Sequence, residues 1–333
     1  MQEASFYEPA PEGRVQCRLC HQDCLIAPGR RGLCGVRENR EGRLLSLVYG
    51  RPAAQAVDPI EKKPLYHFLP GSQAFSLGTR GCNFRCLYCQ NCSISQVATD
   101  EAFTDPRVEP EQIVNRAAAF GCASLAYTYT EPTIFFEFAY DIATLARGRG
   151  LKNIFVTNGY ITPAPLRQLA PVLDAANIDL KFYRDDLYRR VCGARLQPVL
   201  EMIRLYHELG VWIEITTLVV PGYNDDAEQL SGIADFIAAV DVGIPWHVSA
   251  FHPIYKLTSA APTPLAALEK ARTLGLAAGL KHVYLGNVRE GSDTRCPTCR
   301  AALIERRGLG VLANRIGEGQ CPHCAAAVKG VWR

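Results

Sequence analysis

Between residues 74 and 290, short apolar runs alternate with longer segments whose apolar positions recur at helical spacing. The short runs are AFSLGT, SLAYTYT, NIFVTN, NIDLKF, VWIEITTLVV, WHVSAF and HVYLG. They are rich in β-branched and aromatic residues, as strands are. The longer segments include EQIVNRAAAF, IFFEFAYDIATLARGRG, AEQLSGIADFIAAV and PLAALEKARTLGLAAG. Gly121, Gly150, Gly210 and Gly279 stand where a helix would end on a left-handed glycine. Strand–helix alternation of this length predicts parallel βα units, and about six of them predict an α/β fold built as a complete or partial (β/α)6 TIM-like barrel. A doubly wound open sheet is the alternative, but no GxGxxG follows the first run.

Composition narrows the class. Lys and Arg total 36 against 33 Asp and Glu, a net charge of +3, which gives no electrostatic footprint for nucleic acid or a membrane surface. No apolar run reaches the ~18 residues that span a bilayer. The start MQEASFYEPAPEGR lacks the basic flank and apolar stretch of a secretory signal. A cytoplasmic, reducing setting is expected, where the 14 cysteines point to metal or redox chemistry instead of disulfides.

Twelve of those cysteines fall into three groups that divide the chain. Cys17, Cys20, Cys24 and Cys34 define an N-terminal cysteine-rich module over residues 1–70. Cys82, Cys86, Cys89 and Cys92 open the barrel region, 71–290, and Cys296, Cys299, Cys321 and Cys324 define a C-terminal module, 291–333. Cys122 and Cys192 stand alone and read as small buried hydrophobes. The C-terminal CPTC and CPHC pair reads as a zinc ribbon with four thiolates, His323 not among the ligands, and the run Glu305-Arg306-Arg307 as a solvated turn. At the N-terminus CRLCH satisfies the haem attachment pattern, but two more cysteines nearby turn it into a four-thiolate set. Its spacing fits zinc or an auxiliary iron–sulfur cluster, with zinc slightly preferred.

The central loop GTRGCNFRCLYCQN differs from both flanking groups. Three thiolates can hold three irons of a [4Fe–4S] cluster and leave the fourth iron open, as a catalytic metal site requires. Cys92 could close such a cluster; its place just outside the tight unit favours a bystander. This spacing, with Tyr88 before the last cysteine, resembles the signature of the radical S-adenosylmethionine (SAM) superfamily. FVTNGY, NIDLKFYRDD, VWIEITTLVVPGYNDD and SAFHP most resemble the pyruvate formate-lyase activating enzyme branch. CRLCHQDC, LCGVREN, VDPIEKKPLYHFLPG, AYTYTEPTIFFE and CPHCAAAVKGVW extend the resemblance to the radical SAM enzyme of the AmmeMemoRadiSam system, over nearly the whole chain.

The resemblance implies a [4Fe–4S] cluster on Cys82, Cys86 and Cys89, SAM as co-substrate, and SAM contacts from Tyr88, Glu131, Asn158, Lys181 and His252. Tyr88 would act mainly through its backbone. Glu131 would meet the SAM ammonium, although Tyr129 and Thr130 replace the glycines usual before it. Val156 replaces an acidic residue of the activating enzymes, which weakens the case for a monovalent cation there. Asp179 and Lys181 read equally as an internal ion pair. Implied partners are a one-electron reductant such as flavodoxin or ferredoxin, and Memo-like and AMMECR-like proteins. The implied activity is SAM cleavage to a 5′-deoxyadenosyl radical that attacks an unknown substrate. Activation of a glycyl-radical enzyme is a second reading. A zinc-dependent RNA- or protein-binding scaffold is the reading from another class.

Overall fold

The computed structural model describes residues 2–98, 100–289 and 291–332. An eight-stranded sheet carries the molecule: β1 (Pro52–Pro59), β2 (Gln73–Thr79), β3 (Ser124–Tyr127), β4 (Lys152–Thr157), β5 (Ala175–Asp179), β6 (Trp212–Val219), β7 (Trp246–Ala250) and β8 (Val283–Gly286). Each strand pairs with its predecessor, and β2 to β8 are all parallel. These are the seven runs anticipated from the pattern. The crossovers carry helices α1 (Pro110–Ala119), α2 (Phe136–Gly148), α3 (Pro163–Leu169), α4 (Leu196–Glu208), α5 (Ala227–Val240) and α6 (Leu265–Ala277). All four glycines expected after helices have positive φ.

Six βα units are therefore present, as expected, and two further strands join them. β8 adds a seventh parallel strand, and β1 pairs antiparallel with β2 at the opposite edge. The sheet is open: among the described residues its edge strands do not pair. β1 lies inside the stretch read as the N-terminal module, yet belongs to this sheet. Its Gln and Asp residues hide the alternation that would mark it, and its exposure profile is that of a half-covered edge.

The segment after β1 covers one end of the sheet. Ile60, Leu65 and Phe68 pack on Ala74, Ala126, Ile154 and Ala175, residues near the start of four strands. Alanines at three of these positions leave the room. Glu214 on β6 accepts from the backbone N–H groups of Tyr66 and His67 at 3.0 and 2.8 Å, from His247 at 2.6 Å and from Trp212. The N-terminal ends are thus packed shut, and the opposite ends carry the loops.

Two small antiparallel sheets form the N-terminal module, one from Gln2–Glu3, Arg37–Arg40 and Arg43–Ser46, the other from Tyr7–Pro9, Val15–Cys17 and Leu25–Ile26. The C-terminal module is a three-stranded sheet of Thr294–Arg295, Ala302–Arg307 and Gly310–Asn314. Here one expectation fails. Arg306 is not in a solvated turn but in a strand, buried against the barrel. Its guanidinium lies 4.3 Å over the Tyr66 ring, donates to the Tyr66 carbonyl at 2.7 Å and pairs with the fully buried Glu61. Charge patterning cannot distinguish a docking arginine from a solvated one. No helix among the described residues is long and apolar enough to cross a membrane.

Candidate functional site

The loop after β2 carries Cys82, Cys86 and Cys89. Gly78 and Gly81 are needed at its entrance. A side chain on Gly78 would strike the Thr128 carbonyl; one on Gly81, at φ +91°, would meet the Cys34 carbonyl at 2.6 Å. The loop backbone is tied down on both sides. Arg85 and Leu87 donate to the carbonyls of Cys192 and Val191 at 2.8 and 2.9 Å, Lys256 donates to Leu87 at 2.9 Å, and Gly81 donates to Ile94 at 2.8 Å. A loop held at this many points presents its thiols in a fixed arrangement.

Cys86 is buried, and Cys82 and Cys89 are half-buried. Burial pushes the Cys82 and Cys89 thiols up, and Ser95 lies 3.1 Å from the Cys89 sulfur. Cys86 is pulled down by a hydrogen bond from Cys192, with the Lys181 charge nearby. Cys192 is fully buried in the hydrophobic core, as expected of it, and Tyr88 Oη lies 3.9 Å from its sulfur. Nothing in its sequence surroundings signals that contact, which spans 104 positions. Cys92 opens a one-turn helix, Cys92–Ser95, and is half-exposed.

The residues expected to contact SAM fall at two levels of engagement. Tyr88 is buried, its ring edge-on to Phe182 and Phe251, so the ring packs the core as anticipated. Glu131 is buried. Oε1 accepts from the Thr133 amide, the Thr133 hydroxyl and the Thr157 hydroxyl at 3.0, 2.6 and 2.7 Å, and Oε2 accepts from the Asn158 amide at 2.8 Å. Burial pushes its carboxyl up, and these donors work against the shift. Asn158 is also buried, and its Nδ2 donates to Asn83 Oδ1 at 2.7 Å. The carboxylate thus joins the ends of β3 and β4, and Asn158 joins that corner to the cysteine loop.

Lys181 Nζ contacts Asp179 at 2.7 Å just beyond β5, so the internal pair is formed. Burial alone would favour the neutral amine, but Asp179 with Cys86 and Cys192 holds it well above its ordinary value. His252 is exposed after β7. A cluster absent from the expectations surrounds Tyr129. Its backbone is left-handed, at φ +68°, its hydroxyl donates to Asp58 at 2.8 Å, and Lys63 lies 4.9 Å over its ring. Its carbonyl accepts from Asn91 Nδ2 at 2.6 Å, which fixes the β3 loop against the cysteine loop.

The C-terminal cysteines form a compact set, with Cys296–Cys324 and Cys299–Cys321 sulfurs each 3.6 Å apart and all four within 4.8 Å. Tetrahedral zinc at 2.3 Å from each thiolate places sulfurs about 3.8 Å apart, so the set fits zinc. Among the described residues no other group of three or more such ligands gathers this closely. The three loop cysteines do not form such a set.

A family model for the radical SAM superfamily matches residues 76–233, from β2 through the cysteine loop into α5. An uncharacterized protein of Methanocaldococcus jannaschii is 49% identical over 310 residues, 92% of each chain. The chain belongs to the radical SAM superfamily. Within it, the pyruvate formate-lyase 1-activating enzyme of Escherichia coli K12 is 24% identical over 212 residues, 58% of this chain and 84% of that one. The isethionate sulfite-lyase activating enzyme of Desulfovibrio desulfuricans is 27% identical over 174 residues, covering 50% and 56%. A radical SAM methyltransferase from Sphaerobacter thermophilus shares the fold at TM-score 0.51 and 13% identity, covering 66% and 67%. SuiB of Streptococcus suis bound to S-adenosylmethionine does so at TM-score 0.51 and 16% identity, covering 68% and 53%.

Proposed function

We propose that this radical SAM protein is an enzyme that binds SAM at a [4Fe–4S] cluster on Cys82, Cys86 and Cys89 and uses it to abstract hydrogen from a substrate. The observation that carries the reading is three thiols on one tied loop at the open ends of a parallel sheet. Cys82, Cys86 and Cys89 would hold the cluster, which would supply one electron for reductive cleavage of the SAM sulfonium to methionine and a 5′-deoxyadenosyl radical.

The chain's own residues provide position and charge. Glu131 and Asn158 lock the ends of β3 and β4 to the cysteine loop, so the surfaces facing SAM move as one unit. The Lys181 ammonium offers a positive charge for the SAM carboxylate, and the Asp179 contact keeps it protonated. Tyr88, Phe182 and Phe251 pack an apolar wall that excludes water beside the loop. By resemblance His252, exposed after β7, would lie near the adenosine.

Anaerobically reconstituted protein given dithionite and SAM should form 5′-deoxyadenosine, and Cys86→Ala should abolish it. Undiminished product from Cys86→Ala would contradict the assignment. Similarity to two activating enzymes supports a second reading, radical installation on a glycyl-radical partner protein. The AmmeMemoRadiSam resemblance supports Memo-like and AMMECR-like proteins as partners, with a flavodoxin or ferredoxin as electron donor in the cytoplasm. Adding each candidate partner to the SAM-cleavage assay distinguishes these readings.

A further inference from the structure

Spacing leaves Cys17, Cys20, Cys24 and Cys34 open between zinc and an iron–sulfur cluster, and their placement in the fold separates the two. All four thiols line one cavity between the N-terminal module and the barrel, and Arg37 and Asn83 line it too. Cys17, Cys20 and Cys34 are buried and Cys24 half-buried. Yet no three of the four sulfurs gather within 4.8 Å of one another, in contrast to the C-terminal set with its 3.6 Å pairs. One zinc ion would draw them to about 3.8 Å. Four irons at alternate corners of a cube take one thiolate each and hold the sulfurs farther apart.

The cavity wall supplies a second, independent observation. Arg37 is 1% exposed and Asn83 is 0% exposed, and Arg37 Nε and Asn83 Nδ2 have no hydrogen-bond partner. The rest of each group is satisfied: Arg37 pairs with Glu137 at 3.1 Å, and Asn83 Oδ1 accepts from Asn158. A buried unpaired donor costs about 1–3 kcal/mol, and both residues line the cavity, so acceptors inside it would remove that cost. The ligand thiolates of either kind of site accept such bonds. An iron–sulfur cluster adds bridging sulfides, which accept such bonds and whose potential is set by them.

We infer that Cys17, Cys20, Cys24 and Cys34 hold a second [4Fe–4S] cluster, with Arg37 Nε and Asn83 Nδ2 donating to its sulfides. A thiolate on every iron leaves no open position, so this centre exchanges electrons and binds no substrate. It lies directly against the catalytic loop. Asn83 follows Cys82 in the chain, Gln22 Nε2 donates to the Asn83 carbonyl at 2.8 Å, and Gly81 turns against the Cys34 carbonyl. One electron taken from a low-potential donor protein can leave through this contact for the cluster on the loop. That relay role rests on the function proposed above; the presence of the second cluster does not.

The test compares wild-type protein with Cys82→Ala/Cys86→Ala/Cys89→Ala, both reconstituted anaerobically and assayed for iron, acid-labile sulfide and zinc. Wild type should hold about eight irons and one zinc, and the triple variant about four irons with its brown absorbance near ~400 nm intact. A colourless triple variant with two zincs would overturn the inference. A triple variant retaining every iron of a four-iron wild type would support the second cluster while removing the first. If the triple variant does not fold, Mössbauer spectra of wild type decide. Two clusters, one of them perturbed by SAM, support the inference, and a single perturbed cluster with two zincs overturns it.

Discussion

Asn158 shows how a single side chain can tie the cysteine loop to the ends of the strands. Its Nδ2 donates to Asn83, its Oδ1 accepts from Tyr160, and its amide donates to Glu131. Asn158→Ala strands buried groups on two neighbours and should lower stability by about 1–3 kcal/mol in chemical denaturation. Asn158→Asp keeps the acceptor for Tyr160 but buries a second carboxylate beside Glu131 and faces the Asn83 oxygen, so it should cost more than Asn158→Ala; a recovery of stability relative to Asn158→Ala would contradict the network. At this scale the sequence was legible where residue type carries the chemistry. Three closely spaced cysteines mark the loop that the structure ties down at the end of β2. Asn83, Tyr129 and Cys192 do not announce themselves, because their partners lie on other strands and loops and depend on packing.

At the scale of elements, Asp58 ties the antiparallel edge strand β1 to the β3 loop through Tyr129, Lys62 and Lys63. Burial pushes its carboxyl up, but hydrogen bonds from Lys62, Lys63 and Tyr129 outweigh this and hold it below its ordinary value. A depressed folded value means the stabilisation is complete above the unfolded value, about 4, and is lost as pH falls below it. Denaturation at successive pH values from about 6 to about 3 should show that loss in wild type and a shallower one in Asp58→Asn. An identical slope would contradict the role given to this junction. The parallel strands were legible because strands buried on both faces read as continuous apolar runs. β1 was not, because an edge strand facing solvent carries polar residues on its open side.

Across the whole molecule, two cysteine-bound modules flank the barrel and each is docked by a buried arginine. Arg37 pairs with Glu137 on α2, and Arg306 pairs with Glu61 in the segment that closes the sheet's N-terminal ends. Neither pair could be read from sequence, since buried and solvated arginines look alike until the partner is placed. Arg306→Ala leaves Glu61 buried and uncompensated and should cost about 3–5 kcal/mol in denaturation of the metal-loaded protein. A change below about 1 kcal/mol would place the ribbon free of the barrel.

The central claim is that Cys82, Cys86 and Cys89 hold a cluster with one iron open to SAM. Electron–nuclear double resonance on the reduced, reconstituted protein tests it most directly, with SAM isotopically labelled on its amino nitrogen and carboxylate oxygens. The account predicts hyperfine coupling from both labels to a cluster signal that is absent in Cys86→Ala. A cluster signal unchanged by saturating SAM, with no coupling from either label, would contradict it.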